Sequence, residues 1–329
     1  MKSTPNRRHF LKTSAAAALT APWVMSFEER ALMAQESRPA SAPALEGGPK
    51  ETVPQGRIGK VQIGRLICGG NLVSGYAHSR DLIYVSRWLR QYFTDDKIWE
   101  TWSVCEQHGI NTMIVFTGDQ RAVSLYEKYR AQGGRIQFLA QISPDEKDMR
   151  KSVAQARDAG AVGAFLVGNT GDSWTRTNKT HLIGDLLPMI RDHGMIAGMA
   201  GHEVRTIRAV EEAGFNPDFY MKTLHGTDYW SARRPDQTKE VIDNYGADNY
   251  WCSDPAETIA YMAQVKRPWI AYKVLAAGAI HPRAGFRHAF QHGADFAAVG
   301  MFDFQVAENV ATTGTVLRTL KNRDRAWLA

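Results

Sequence analysis

Two lysines stand inside otherwise apolar runs, Lys222 in Phe219-Tyr220-Met221-Lys222-Thr223 and Lys273 in Trp269 to Ala276. A lysine kept out of water is a candidate nucleophile or a candidate holder of an anionic substrate. If both amines reach one cavity, each depresses the other's pKa, because two ammonium groups in a partly desolvated site resist double protonation. Three readings stay open: a Schiff base, an anion clamp, and structural pairing with Glu203 or Asp303. Glu203 and Asp119 are the carboxylates placed to carry protons. Glu203 also falls in the first turn of a helix, where an acid favours the helix dipole. His202, Glu203, His225 and Asp119 together are the residue types of a divalent metal site, although no ligand spacing supports one. Gly278 and Gly300 follow short apolar runs and are candidates to offer backbone N–H groups to an anion.

These residues need elements to position them, and the chain from Lys60 onward supplies a regular pattern. Apolar runs Arg65–Gly69, 110–116, 136–142, 162–167, 195–200, 218–224, 269–276 and 296–299 each precede a segment of helical periodicity. Gly109, Gly160, Gly194, Gly214 and Gly293 sit where helices stop. Eight strands alternating with eight helices imply a parallel sheet covered by helices, and the count favours a closed (β/α)8 TIM barrel in the α/β class. In that fold chemistry lies at the C-terminal ends of the strands. This selects Asn71, Asn169, His202, His225, Gly278 and Gly300 as substrate-binding residues beside Lys222, Lys273, Glu203 and Asp119. Two long excursions reach the same face. One carries His78 and Arg80; the other, 225–253, carries Tyr229, Trp230, Arg233 and Arg234.

The 329 residues are 44% hydrophobic and 22% charged, ordinary values for a globular chain. The net charge of +6 includes Lys2, Arg7, Arg8 and Lys12, and no basic block follows in the folded part, so nucleic-acid binding is not expected. Three cysteines without close spacing, Cys68, Cys105 and Cys252, argue against a disulfide framework or a CxxC metal site.

Asn6-Arg7-Arg8-His9-Phe10-Leu11-Lys12, followed by a mildly apolar run to Phe27, resembles the twin-arginine export signal. The resemblance implies residues 1–45 as a signal and linker ahead of a barrel at 46–329. It also implies the twin-arginine translocase as a partner during export, and a periplasmic or otherwise exported product. The apolar run is too short for a stable membrane span. Arg57–Leu66 with Gly69-Gly70-Asn71, and Gly109-Ile110-Asn111, resemble the opening of an aldo/keto reductase. Aligned on those residues, the family's catalytic Asp and Tyr fall on Ile114 and Asp119, its Lys near Gln141 and its His near Gly168-Asn169. NADP is therefore not expected, and the cofactor stays open. Lys222-Thr223 and Lys273 with Gly278 resemble the two lysine strands of deoxyribose-phosphate aldolase. That likeness implies Lys222 as the Schiff-base lysine and Lys273 as its pKa-lowering neighbour. The expected function is an enzyme acting on a small oxygenated carbonyl substrate, such as a sugar or sugar acid. The alternatives are a reductase-like oxidoreductase and a non-catalytic binding barrel.

Overall fold

The computed structural model describes residues 51–76, 84–232, 252 and 254–329. An antiparallel hairpin, β1 (Gln55–Ile58) and β2 (Val61–Gly64), opens the described chain. Eight parallel strands then close a barrel: β3 (Leu66–Cys68), β4 (Thr112–Phe116), β5 (Gln137–Ile142), β6 (Gly163–Leu166), β7 (Ile196–Gly201), β8 (Phe219–Thr223), β9 (Trp269–Tyr272) and β10 (Phe296–Val299). Strand β10 returns to pair with β3, so this sheet has no edge. The fold is a single (β/α)8 barrel, as the alternation of apolar runs and helical segments implies.

Ten helices are described: α1 (Val85–Tyr92), α2 (Asp95–Gln107), α3 (Gln120–Ala131), α4 (Met149–Asp158), α5 (Gly168–Arg176), α6 (His181–Asp192), α7 (Val204–Glu212), α8 (Pro255–Met262), α9 (Pro282–Gln291) and α10 (Asp303–Thr319). Asp119, Asp148 and Asp254 begin α3, α4 and α8 by accepting a backbone N–H with their carboxylates. The five glycines expected to end helices all have positive φ, where a side chain is disfavoured. Two helices lie outside the sequence expectation. One is α1 in the first excursion; the other is α5, which begins immediately beyond β6.

Alternation along the strands builds two cores. The inner one fills the barrel with Ile67, Ile114, Leu139, Phe165, Phe219, Met221, Ile270 and Phe296. Ile58, Val61 and Ile63 of the hairpin belong to it. The outer one lies between strands and helices and includes Cys68, Trp102, Met113, Phe138, Tyr220 and Trp269. The two sets alternate within β8: Phe219 in, Tyr220 out, Met221 in.

The C-terminal segment is pinned by a buried carboxylate. Asp295 accepts the Trp269 and Leu328 backbone N–H groups at 3.1 and 2.8 Å, and pairs with Arg325 at 3.0 Å. Arg325 also donates to the carbonyls of Val265 and Gly293 at 3.2 and 2.7 Å. Among the described residues no helix is long and apolar enough to cross a membrane. The twin-arginine-like segment, His78, Arg80, Arg233 and Arg234 lie outside the described residues.

Candidate active site

A cavity of about 740 Å³ opens among the C-terminal ends of the strands. Asn71, Gln141, Asn169, His202, Tyr272 and Lys273 contribute its polar wall. Gly278 and Gly300 also line it.

His202 is the best-supported group in that wall. It follows β7 directly, on the inward side of the alternation that puts Ile196 and Ala200 in the inner core. Its ring is held by Asp172 of α5, which lies 2.8 Å from Nδ1. The same carboxylate accepts the His202 backbone N–H at 3.0 Å, the Glu203 N–H at 3.3 Å and the Thr206 hydroxyl at 2.7 Å. Asp172 has no exposed surface. Burial alone would raise its pKa, but the bonds from His202, Thr206 and the backbone outweigh that, and the carboxyl lies below its ordinary value. Burial lowers the His202 pKa, against the pull of Asp172 and with help from the charges of Lys273 and Lys222. The favoured state near neutrality is a neutral imidazole donating Nδ1–H to a carboxylate, which leaves Nε2 as the basic nitrogen.

Tyr272 closes β9 and faces the same space. Its ring lies 5.5 Å from the His202 ring, tilted by 56°. Gly168 at the start of α5 makes this approach possible. A Cβ there would sit 2.7 Å from both His202 Cε1 and the Tyr272 hydroxyl, so those two atoms lie within twice that distance of each other. Lys273 follows, just past the strand, with φ of 58°. Ala276 and Ala277 are also left-handed, at 45° and 58°. Three non-glycine residues in this region within five positions are a cluster of backbone strain, of about 1–3 kcal/mol each, and such strain concentrates at functional sites.

Several sequence assignments change here. Lys222 does not line the cavity. One residue beyond inward-facing Met221, it projects to the outer side of β8. There it is buried, and its Nζ donates to the carbonyls of His202 and Thr223 at 2.7 and 2.8 Å. Burial lowers its pKa, opposed by Cys252, Asp172, Glu203 and Glu257. The two lysines therefore do not share a pocket. Lys222 fixes the His202 backbone from behind instead of meeting a substrate carbonyl. Glu203 is also outside the cavity, in ion pairs with Arg176 and Arg205. Asp119 caps α3 and accepts the Ser74 hydroxyl at 2.5 Å. His225 is buried, with Nε2 accepting the Cys252 N–H at 2.9 Å and Nδ1 2.8 Å from the Gly226 carbonyl. The four residues of the suggested metal set thus hold structural bonds of their own. Among the described residues no group of three His, Cys, Asp or Glu converges to hold a metal. Gly278 has φ of 90°, but its N–H donates to Leu275 O at 2.9 Å, and the N–H groups of Ala276 and Ile280 are likewise bonded within the turn. That turn is no ready anion cradle. Asn71, Asn169, His202, Lys273, Gly278 and Gly300 do come together around the cavity.

Asp172 and Tyr272 were not among the sequence candidates. Tyr272 adjoins Lys273, and strand alternation from Ile270 would have aimed it inward. Asp172 carries no comparable signal, because Gly168–Arg176 reads as a loop rather than a helix.

Comparison with known proteins extends only to architecture. No family model matches the chain, and no curated protein matches its sequence. Among solved structures, a proposed aldo-keto reductase from Pseudomonas aeruginosa is similar with a TM-score of 0.55 and 18% identity, covering 82% of this chain and 98% of that one. A second structure described as a proposed aldo-keto reductase from the same organism gives a TM-score of 0.57 and 17% identity, over 83% and 99% of the two chains. The likeness is one of fold. At these identities it transfers no residue roles.

Proposed function

We propose that the protein is an enzyme that moves protons to and from a small carbonyl compound. His202 is its acid–base group, and Asp172 is the positioning residue that fixes its tautomer. The observation that carries this reading is the buried Asp172–His202 pair at 2.8 Å, with the imidazole in the cavity wall beside Tyr272 and Lys273. A neutral imidazole oriented by a carboxylate accepts a proton at Nε2, and the imidazolium so formed is stabilised by Asp172. A carbonyl oxygen between the Tyr272 hydroxyl and the Lys273 ammonium would have its developing negative charge met by a donor and a cation. That combination suits removal of a proton from the carbon beside a carbonyl, or its return. Lys222 and the Asp172 carboxylate hold the His202 backbone on its C=O and N–H sides, which keeps the imidazole in register.

A reductase-like oxidoreductase is the second reading, favoured by the shared fold and by His, Tyr and Lys meeting at one mouth. A nicotinamide cofactor requires a cradle for its pyrophosphate. The turn after β9 bonds the N–H groups of Ala276, Gly278 and Ile280 internally, so it does not fit that role. No step is assigned to such a cofactor.

Deuterium exchange tests the first reading. The protein is incubated in D2O with small 2-oxo acids, hydroxyketones and ketoses, and NMR follows deuterium entering beside the carbonyl. Exchange of at least one compound is expected, with a loss of about 10²–10⁴-fold in His202→Gln. Exchange of equal rate in that variant removes His202 from the mechanism. Export through the twin-arginine route is proposed alongside, on the Arg7-Arg8 motif. Replacing both by lysine should retain the protein in the cytoplasm; an unchanged exported fraction would refute it.

A further inference from the structure

The rim of the cavity carries a line of aromatic rings that runs out onto the surface. Phe302, between β10 and α10, lines the cavity. Phe304 stacks on it at 5.2 Å with 16° between the ring planes, and is 67% exposed. Tyr92 meets both rings edge-on, at 5.1 and 6.4 Å. Its hydroxyl donates to Asp303 at 2.5 Å, which ties α1 to the start of α10. Trp88 and Tyr84 follow at steps of one helical turn along the same side of α1, and are 69% and 58% exposed. At about 100° per residue, Trp88 stands about 60° round α1 from Val85, which lines the cavity. The rings form one ridge that starts in the cavity wall at Phe302 and is open to water at Phe304, Trp88 and Tyr84.

Large exposed rings grouped at a cavity mouth mark a binding surface, unlike apolar residues scattered singly. The exposed charges beside them are of both signs, Arg87 and Arg90 with Asp95 and Asp96, so no single-sign field draws an anionic membrane. Inside the cavity the lining contains no carboxylate among the described residues, and Asn71 and Gln141 present neutral amides. Gln141 pairs with Phe165 of the inner core, so its side chain points into the barrel mouth. An amide offers both donors and an acceptor, which matches a hydroxyl group. A sugar ring meets both demands. Its C–H face covers an aromatic ring, and its hydroxyls stay at the edge, toward water or an amide.

We infer that the ligand is a carbohydrate of several units. The terminal unit, bearing the carbonyl, enters the cavity against Asn71 and Gln141, and the units behind it stack along Phe304 and Trp88. The inference rests on the acid–base chemistry assigned above to His202 only for the reaction at the terminal unit. The ridge is a property of the surface, so it is tested by binding and not by turnover.

The probes are β-1,4-linked glucose, β-1,4-linked N-acetylglucosamine and α-1,4-linked glucose, each from one unit to four, titrated by calorimetry into the full-length protein. At least one series should gain about tenfold or more in affinity from one unit to four. Trp88→Ala and Phe304→Ala should each cut that gain by about two- to tenfold, with thermal melts showing that both are folded. Gln141→Leu should weaken every length alike, by about two- to tenfold. His202→Gln should keep the gain. Loss of deuterium exchange in that variant with the gain retained supports both proposals. Exchange and gain both retained supports the ridge and removes only the His202 mechanism. Absence of binding in all three series, affinity independent of length, or a gain that survives in both folded ridge variants overturns the ridge as a carbohydrate site, and leaves the exchange reaction standing. Two other results also overturn it: binding to vesicles of mixed phosphatidylcholine and phosphatidylglycerol that Trp88→Ala abolishes, which makes the ridge a membrane surface, and a dimer in sedimentation that Trp88→Ala dissociates, which makes it a contact between copies of the chain.

Discussion

Replacing Asp172 by asparagine alters one atom type at the centre of the site. The carboxylate accepts from His202 N–H, His202 Nδ1, Glu203 N–H and the Thr206 hydroxyl, at 3.0, 2.8, 3.3 and 2.7 Å. An amide retains one accepting oxygen and turns an NH2 group toward the remaining donors. At least one donor at this buried position then has no acceptor. Hydrogen bonds to a charged group contribute about 1.5–3 kcal/mol each, and an unsatisfied buried donor costs about 1–3 kcal/mol. Part of this is offset because a buried charge has been removed. The net expectation is a loss of roughly 2–4 kcal/mol, read from the urea midpoint at constant m. Turnover should fall by about 10²–10⁴-fold, because the imidazole loses the partner that sets its tautomer. A third readout separates positioning from mere stability. Asp172 raises the His202 pKa against burial, so its removal lets that pKa fall further, and the acid limb of the rate profile should move to lower pH. An acid limb that stays in place, with turnover within about twofold of wild type, would refute the assignment.

Gly168→Ala places a methyl 2.7 Å from His202 Cε1 and the Tyr272 hydroxyl. It should lower kcat by one to two orders of magnitude, consistent with a displacement of roughly 1 Å, while circular dichroism stays unchanged; full activity would show that these two rings do not need their present approach. His288 on α9 is kept neutral by burial and by His292, with its pKa down to about 4. Its native pKa is below the unfolded value, so its contribution to stability is full above about pH 6.5 and disappears as pH falls toward 4. After discounting for partial exposure this is about 1–2 kcal/mol, and His288→Gln should flatten that part of the stability curve; an unchanged slope would contradict it. Arg325→Ala leaves Asp295 buried without its guanidinium, at a cost of about 3–5 kcal/mol. Unfolding within about 1 kcal/mol of wild type would show that the C-terminal segment is not held this way.

The barrel was legible because each of its units repeats the same physical signal. An apolar run and a helical stripe recur eight times, five of the helices end at a stop glycine, and closure follows from the count. The direction of individual side chains was not legible to the same degree. Barrel strands are buried on both faces, so Phe-Tyr-Met-Lys-Thr gives no contrast between inside and outside. Lys222 consequently reads as a cavity residue although its Nζ donates to His202 O on the far side of the strand. His202, Lys273, Asn71, Asn169, Gly278 and Gly300 were found because the rule used for them is positional. They follow strand ends, whichever way the strand faces. Asp172 escaped that rule, since it lies a turn inside a helix that begins where a loop was expected. Its carboxylate is brought to His202 by the close packing of α5 against β7, a tertiary contact with no local trace. Glu203 and Asp119 follow strand ends too, yet ion pairs and capping take up their carboxylates.

The protonation state of His202 tests the account most directly. In protein labelled with ¹⁵N-histidine, and with His202→Gln used to assign the signal, the His202 ring should show the neutral Nδ1–H form at pH 7, with Nε2 unprotonated. An imidazolium at that pH, or a ring carrying its proton on Nε2, would contradict the account.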